Sequence, residues 1–169
     1  YNAQVREIQR KFGETYDNVT VMTAVGLKEF TGCHYGNNGY AQTAQWWYPV
    51  YNRDFYGKDS ANITAPKIVK ASFSSPAKTS LDLTFDMPVV WPTDAAINNA
   101  IALDGATGKV SSALVTGNVL RLTLSGASSA TKVSYVPANS YMGPYLYSAR
   151  GVGTLTFLDY PITANNAVE

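Results

Sequence analysis

His34 and Cys33 are the only histidine and the only cysteine in the 169 residues, and they adjoin one another. They lie in a glycine-rich stretch, Thr31-Gly32-Cys33-His34-Tyr35-Gly36-Asn37-Asn38-Gly39. Imidazole is the side chain whose unperturbed pKa lies nearest neutrality, so His34 is the candidate general base or acid. A hydrolytic histidine needs a nucleophile to deprotonate and usually a carboxylate to hold its tautomer. The chain contains no Gly-x-Ser-x-Gly and no Gly-Asp-Ser, and Lys58-Asp59-Ser60 falls in a polar stretch where nothing positions a serine. Sequence neighbours rarely align as nucleophile and base, so Cys33 reads as a small buried residue. One histidine without a cluster of cysteines or carboxylates at ligand spacing gives no metal site. No phosphate loop stands in a strand-to-helix context, and no cofactor is expected. His34 itself keeps two readings, catalytic base or satisfied structural residue.

The elements that must position His34 come before and after it. Val5, Ile8 and Phe12 fall at helical spacing and predict a helix over residues 3–12 with one buried stripe, leaving Arg6, Arg10 and Lys11 off it. Residues 18–25 are β-branched and apolar on both faces, which predicts a strand of a parallel sheet covered by helices. Residues 26–38 form the loop. Tyr40, Ala44, Trp47, Tyr51 and Phe55 then predict a helix over 40–55 packed on that sheet, kinked or split at Pro49. A helix–strand pair is not a sheet, so the other strands must come from sequence outside this chain. The aromatics read as core, with sugar stacking as the second role.

Residues 58–66 read as a linker, and the texture changes after them. Short alternating runs at 67–73, 80–86, 100–104, 109–116, 119–124, 132–136 and 153–158 predict an antiparallel β-sandwich. Gly117-Asn118 marks a tight hairpin. The loop at 139–151 carries three tyrosines and Arg150, and either docks the sandwich onto the first part or bears function. The predicted organisation is 1–57 as the last part of an α/β unit, 58–66 as linker, 67–163 as β-sandwich and 164–169 as tail.

Charged residues make up 15% and net charge is +1, with no basic run, so no nucleic-acid or anionic-membrane footprint is expected. No stretch is long and apolar enough for a membrane span. A tyrosine-rich, charge-poor composition suits work on neutral sugars outside the cytosol. The chain begins at Tyr1 without an initiator methionine. The expectation is a piece of a longer protein, such as a proteolytic product or one half of a nicked enzyme.

Several stretches together resemble the C-terminal part of a sialate O-acetylesterase-type carbohydrate esterase of the SGNH hydrolase superfamily. Val5-Arg6-Glu7-Ile8-Gln9 resembles a helix carrying Arg-x-x-Gln, and residues 19–27 resemble the strand before the catalytic loop. Thr31-Gly32-Cys33-His34-Tyr35 with Gly39-Tyr40 resembles the Asp-Gly-x-His block. Phe55-Tyr56-Gly57 resembles the end of the final helix. Ala65-Pro66, Gly151-Val152 and Pro161-Ile162 resemble parts of an appended β-domain. The resemblance implies a three-layer α/β/α domain followed by an all-β sandwich. It implies hydrolysis of sugar acetyl esters, with His34 as the base for a serine on an absent N-terminal portion, a second polypeptide. Thr31 stands where the family carries the ring-orienting Asp, and Glu29 is the nearby substitute. Two other classes stay open: a non-catalytic extracellular carbohydrate-binding or adhesive module, and a purely structural β-domain.

Overall fold

A computed structural model describes residues 2–58 and 61–163. The expected tail at 164–169, and Asp59 and Ser60 of the expected linker, lie outside the described residues.

The second part of the chain folds as a β-sandwich. Strands β1 (Ile68–Phe73), β2 (Ser80–Phe85), β5 (Val110–Thr116) and β6 (Val119–Leu124) form one sheet in the order β1-β2-β6-β5. Strands β4 (Ile101–Leu103), β7 (Lys132–Tyr135) and β9 (Phe157–Pro161) form the second, β4-β7-β9. A two-stranded piece pairs β3 (Val89–Val90) with β8 (Tyr147–Ser148), and every strand pair is antiparallel.

Alternation makes the core. Leu81, Leu83 and Phe85 on β2 face the same interior as Leu120, Leu122 and Leu124 on β6, because strand side chains alternate with a period of two. They meet Ile101, Val133, Tyr135 and Phe157 from the other sheet in one cluster. Each such leucine contributes roughly 1.5–3 kcal/mol by leaving water. The β5–β6 hairpin turns at Gly117 and Asn118, with Gly117 at φ +62°. A tight hairpin turn takes glycine first because that position needs positive φ. The last strand starts at Phe157, later than expected, and residues 153–156 run beside the first part of the chain instead.

The first part departs from expectation. Two helices form, α1 (Asn2–Thr15) and α2 (Asn37–Tyr56). Between them no strand forms among the described residues. Residues 19–24 run on without turn, bend or ladder partner, so the expected parallel layer is not present. A strand needs a neighbour to satisfy its backbone, and none of the described sequence supplies one.

Both helices also present their apolar stripes outward. Val5, Ile8 and Phe12 are 49%, 57% and 46% exposed, whereas Glu7 and Arg10 are buried. At 100° per residue these two sets lie on opposite faces of α1. The polar face is the one that docks on the sandwich, through Glu7 to the Leu158 amide and Arg6 to the Val136 carbonyl. On α2, Trp46 and Val50 are buried, while Tyr40, Trp47, Tyr51 and Phe55 of the expected stripe are exposed. The helix continues through Pro49.

A small apolar cluster joins the two parts: Trp46, Ala65, Val152 and Leu155, with Val21, Met22 and Leu27 against it. Gly153 sits so close to the Val25 carbonyl that a Cβ there would lie 2.1 Å from its oxygen. The tyrosine loop takes part in the docking, since the Tyr145 ring packs over Gly26. Tyr135 holds that loop from within, its buried phenol oxygen accepting the Leu146 amide at 2.8 Å.

Candidate functional site

His34 stands at the end of a tight turn. Phe30 and Tyr35 pair as an isolated antiparallel bridge. The Thr31 amide donates to the His34 carbonyl at 2.8 Å, and the Thr31 hydroxyl donates to the same oxygen at 3.1 Å. Gly32, at φ +100°, takes the backbone angle the turn requires. The result is a miniature hairpin with Gly32 and Cys33 at its tip.

The turn is set firmly against the start of α2. The Glu29 carboxylate accepts the Asn38 amide at 3.1 Å and also bonds the Asn38 side chain. A carboxylate at a helix N-terminus satisfies otherwise orphaned amides and meets the positive end of the dipole. Gly39 permits the contact of helix and loop, since a Cβ there would lie 2.3 Å from the Lys28 carbonyl oxygen. The chain thus holds the backbone of His34 tightly while its side chain is exposed.

Neither expected substitute for the ring-orienting carboxylate serves that role. Thr31 spends its hydroxyl on the His34 backbone, and Glu29 is engaged with α2. Among the described residues no side chain hydrogen-bonds the imidazole. Cys33 is exposed rather than buried, because the turn lifts it off the protein. Among the described residues no three metal-ligating side chains come together, and no helix is long and apolar enough to cross a membrane.

The turn borders a large open groove of about 1100 Å³. Arg6, Gln9 and Phe12 of α1 line one side, Trp47 of α2 another, and residues 19–27 lie along it. Gly32 and Tyr35 line it near the His34 turn, and Asn139, Tyr141, Met142 and Tyr145 of the sandwich loop also contribute.

Arg6 is the charged group of this groove that sequence reasoning missed. In the sequence it lies off the apolar stripe of its helix. In the fold it donates to the Val136 carbonyl at 2.7 Å, Thr156 Oγ1 at 3.1 Å and Asn139 Oδ1 at 3.3 Å. Burial draws its pKa below the usual value, with Tyr145 opposing. Only its place in the Arg-x-x-Gln stretch could have signalled it. Burial also raises Tyr35, with Tyr40 adding to the effect, and pushes Tyr141 up to about 12. The Tyr141 and Tyr145 hydroxyls donate to the Pro144 and Tyr141 carbonyls, so these rings are fixed.

No protein-family model and no curated protein matches the chain. Among solved structures it is similar to a carbohydrate acetylesterase from Xanthomonas citri, with a TM-score of 0.60 and 15% identity. That match covers 78% of this chain and 30% of the other. It shows a shared fold over that portion, and this chain spans less than a third of the esterase's length. An S-layer protein matches over 79% of this chain and 17% of its own, at 22% identity and a TM-score of 0.41, too low to define a fold.

Proposed function

We propose that this chain is the C-terminal part of a carbohydrate O-acetylesterase of the SGNH type, and that His34 is its general base. The observation that carries the reading is the open groove beside the His34 turn. It is walled by two helices whose apolar stripes face away from the rest of the chain. Large exposed apolar surface marks a site of association. In this reading it receives the remainder of an α/β domain, which brings the nucleophilic serine. The fold shared with the Xanthomonas esterase supports the same direction.

His34 then takes the serine proton as the hydroxyl attacks the acetyl carbonyl, and returns it to the departing sugar alkoxide. Water repeats the sequence on the acetyl-enzyme. The ring-orienting acceptor and the oxyanion donors come from the serine-bearing portion, since Thr31 and Glu29 are committed elsewhere. The low charge and the wealth of tyrosine support an extracellular or periplasmic setting.

The test is hydrolysis of acetylated sugars. The complete polypeptide should release acetate, this chain alone should not, and His34→Ala in the complete polypeptide should lower kcat by about 10²–10⁴. Full activity in the His34→Ala protein would remove the proposal.

A second reading has its own observation. Tyr51 and Phe55 stack at 4.4 Å on the open face of α2 beside Tyr48 and Tyr56, an aromatic surface suited to sugar rings. As a non-catalytic binding module the chain would retain sugars without any partner, and His34→Ala would leave that binding unchanged.

A further inference from the structure

Glu29 is tied to the chain beyond His34 by its backbone and its side chain at once. Its carbonyl accepts the Gly36 amide at 3.0 Å, and its carboxylate accepts the Asn38 amide at 3.1 Å and bonds the Asn38 side chain. His34 lies inside the loop that these bonds close, just before Tyr35 and Gly36. Glu29 reaches both partners from the left-handed region, at φ +57°. A residue other than glycine seldom rests there, and it does so where its surroundings over-determine it.

The helix and the loop both need that carboxylate. Gly36 is the cap residue of α2 and has no side chain with which to accept an amide, so Glu29 supplies the acceptor that the cap position lacks. A Cβ on Gly36 would lie 2.1 Å from Glu29 Oε2, so the carboxylate fills the space that a side chain at 36 would take. Gly36 has φ −76°, an angle any residue adopts, and it is the neighbouring carboxylate rather than the backbone that asks for glycine there. Meanwhile no side chain among the described residues hydrogen-bonds the imidazole. Whatever Glu29 does for His34 therefore passes through the backbone of the turn.

We infer that Glu29 is the positioning residue of His34: its carboxylate fixes the turn against the first turn of α2 and so sets where the imidazole stands toward the serine. This rests on the esterase reading for the role of His34. It goes further by giving Glu29 a task in turnover that is distinct from holding the ring. Such effects are steep, since a misplacement of about 1 Å can cost about 100-fold in rate.

Kinetics on the complete polypeptide that contains this chain test it, with kcat taken per folded molecule from circular dichroism. A merely structural role would leave that quantity unchanged. Glu29→Ala removes the clamp and should lower kcat by about 10–100-fold with KM little altered. Glu29→Gln keeps an oxygen for the Asn38 amide and should recover most of that loss. Gly36→Ala leaves the carboxylate in the chain but drives it from its seat, and should reproduce Glu29→Ala. Full turnover in Glu29→Ala or Gly36→Ala, beside an inactive His34→Ala, would overturn the inference and leave the esterase reading standing. A Gln variant as slow as the Ala variant would also overturn it, because the charge and not the clamp would then matter. Full activity in His34→Ala would remove the esterase reading itself. The clamp has its own readout in the 169-residue chain, independent of activity. The Thr31 amide, bonded to the His34 carbonyl, should exchange about tenfold faster in Glu29→Ala and Gly36→Ala than in the natural sequence. Unchanged exchange there would overturn the inference whatever the kinetics.

Discussion

The Glu7 carboxylate on α1 accepts the backbone amide of Leu158 on β9 at 3.1 Å, and the same carboxylate is forked by Arg10 at 2.7 and 3.0 Å. Two residues distant by 151 positions are thereby joined, and the joint is charged rather than apolar. Arg10 is almost wholly buried and stacks over the Tyr160 ring. Removing the carboxylate leaves the buried Arg10 with only the more exposed Glu14 as charged partner and orphans the Leu158 amide. Glu7→Ala should cost about 3–5 kcal/mol, read as a lowered urea midpoint. Glu7→Gln should cost less, because its amide oxygen still accepts from Leu158. Equal losses for the two variants would mean that packing, not pairing, holds α1.

The same carboxylate gives the protein an acid limit. Burial pushes Glu7 up, but the Arg10 hydrogen bonds, the Leu158 amide and the nearby cations outweigh it, and the folded value lies below the ordinary glutamate range. A carboxylate held low contributes stability that is complete above the unfolded value of about 4.3 and is lost as pH falls through the folded value. The stability gap between the natural protein and Glu7→Gln should therefore be widest near neutrality and should close in acid. Denaturation series at pH 7 and pH 3 measure it, and a gap that does not change would count against this account.

Much of the sandwich was legible because alternation has a single solution. Leu81, Leu83 and Phe85 can be buried together only if one face of β2 points inward, and Leu120 and Leu122 repeat the statement on β6. The first part was not legible in the same way. The stripes Val5–Ile8–Phe12 and Tyr40–Trp47–Tyr51–Phe55 read as buried faces, whereas in the fold these residues are exposed. The docking face of α1 escaped because Arg6, Glu7 and Arg10 read as solvent-facing when each charge is considered singly. Their burial depends on mutual pairing and on backbone partners more than 100 residues away, the Val136 carbonyl for Arg6 and the Leu158 amide for Glu7. His34 is a candidate by residue type, while the engagement of Thr31 and Glu29 depends on a turn whose hydrogen bonds no spacing rule displays.

Gly153 is a sharp test of how the two parts meet. A methyl group there would fall 2.1 Å from the Val25 carbonyl oxygen and 3.2 Å from its carbon. Both are backbone atoms, so relief requires residues 23–25 to move off the sandwich, breaking contacts around Leu155. Gly153→Ala should destabilise the chain by about 1–3 kcal/mol. Gly151→Ala is a useful contrast: nothing lies within 4 Å of its added carbon, but φ is +76° and the cost is one of backbone strain. Fluorescence of Trp46, which packs in the joining cluster, should change with Gly153→Ala and not with Gly151→Ala.

Tyr135 offers a test of the tyrosine loop from inside the core. Its ring is fully buried beside Phe157, and its oxygen is the acceptor for the Leu146 amide at 2.8 Å. Tyr135→Phe keeps the ring and orphans that amide, which costs about 1–3 kcal/mol. Because Leu146 follows Tyr145, the loss should also loosen the contact of the loop with Gly26, seen as faster exchange of amides in residues 144–147. Unaltered exchange there would show that the loop is held by its apolar contacts alone.

The outward stripes make the last prediction, since a surface residue and an interface residue respond differently to charge. Ile8 and Phe55 are 57% and 68% exposed on the two helices. In this chain alone neither packs in a core, so Ile8→Lys and Phe55→Lys should each change its stability by no more than about 0.5 kcal/mol. Both should reduce self-association and the binding of an apolar dye, because they interrupt contiguous apolar surface. On the proposed esterase reading, the same lysines in the complete polypeptide enter a covered interface without a partner charge. There they should be severely destabilising, as unpaired buried charges are. The decisive quantity is the difference between the two contexts, measured by denaturation of each. Harm confined to the complete polypeptide locates the missing cover on these stripes. Harm of equal size in the chain alone would mean that the stripes are already packed within it.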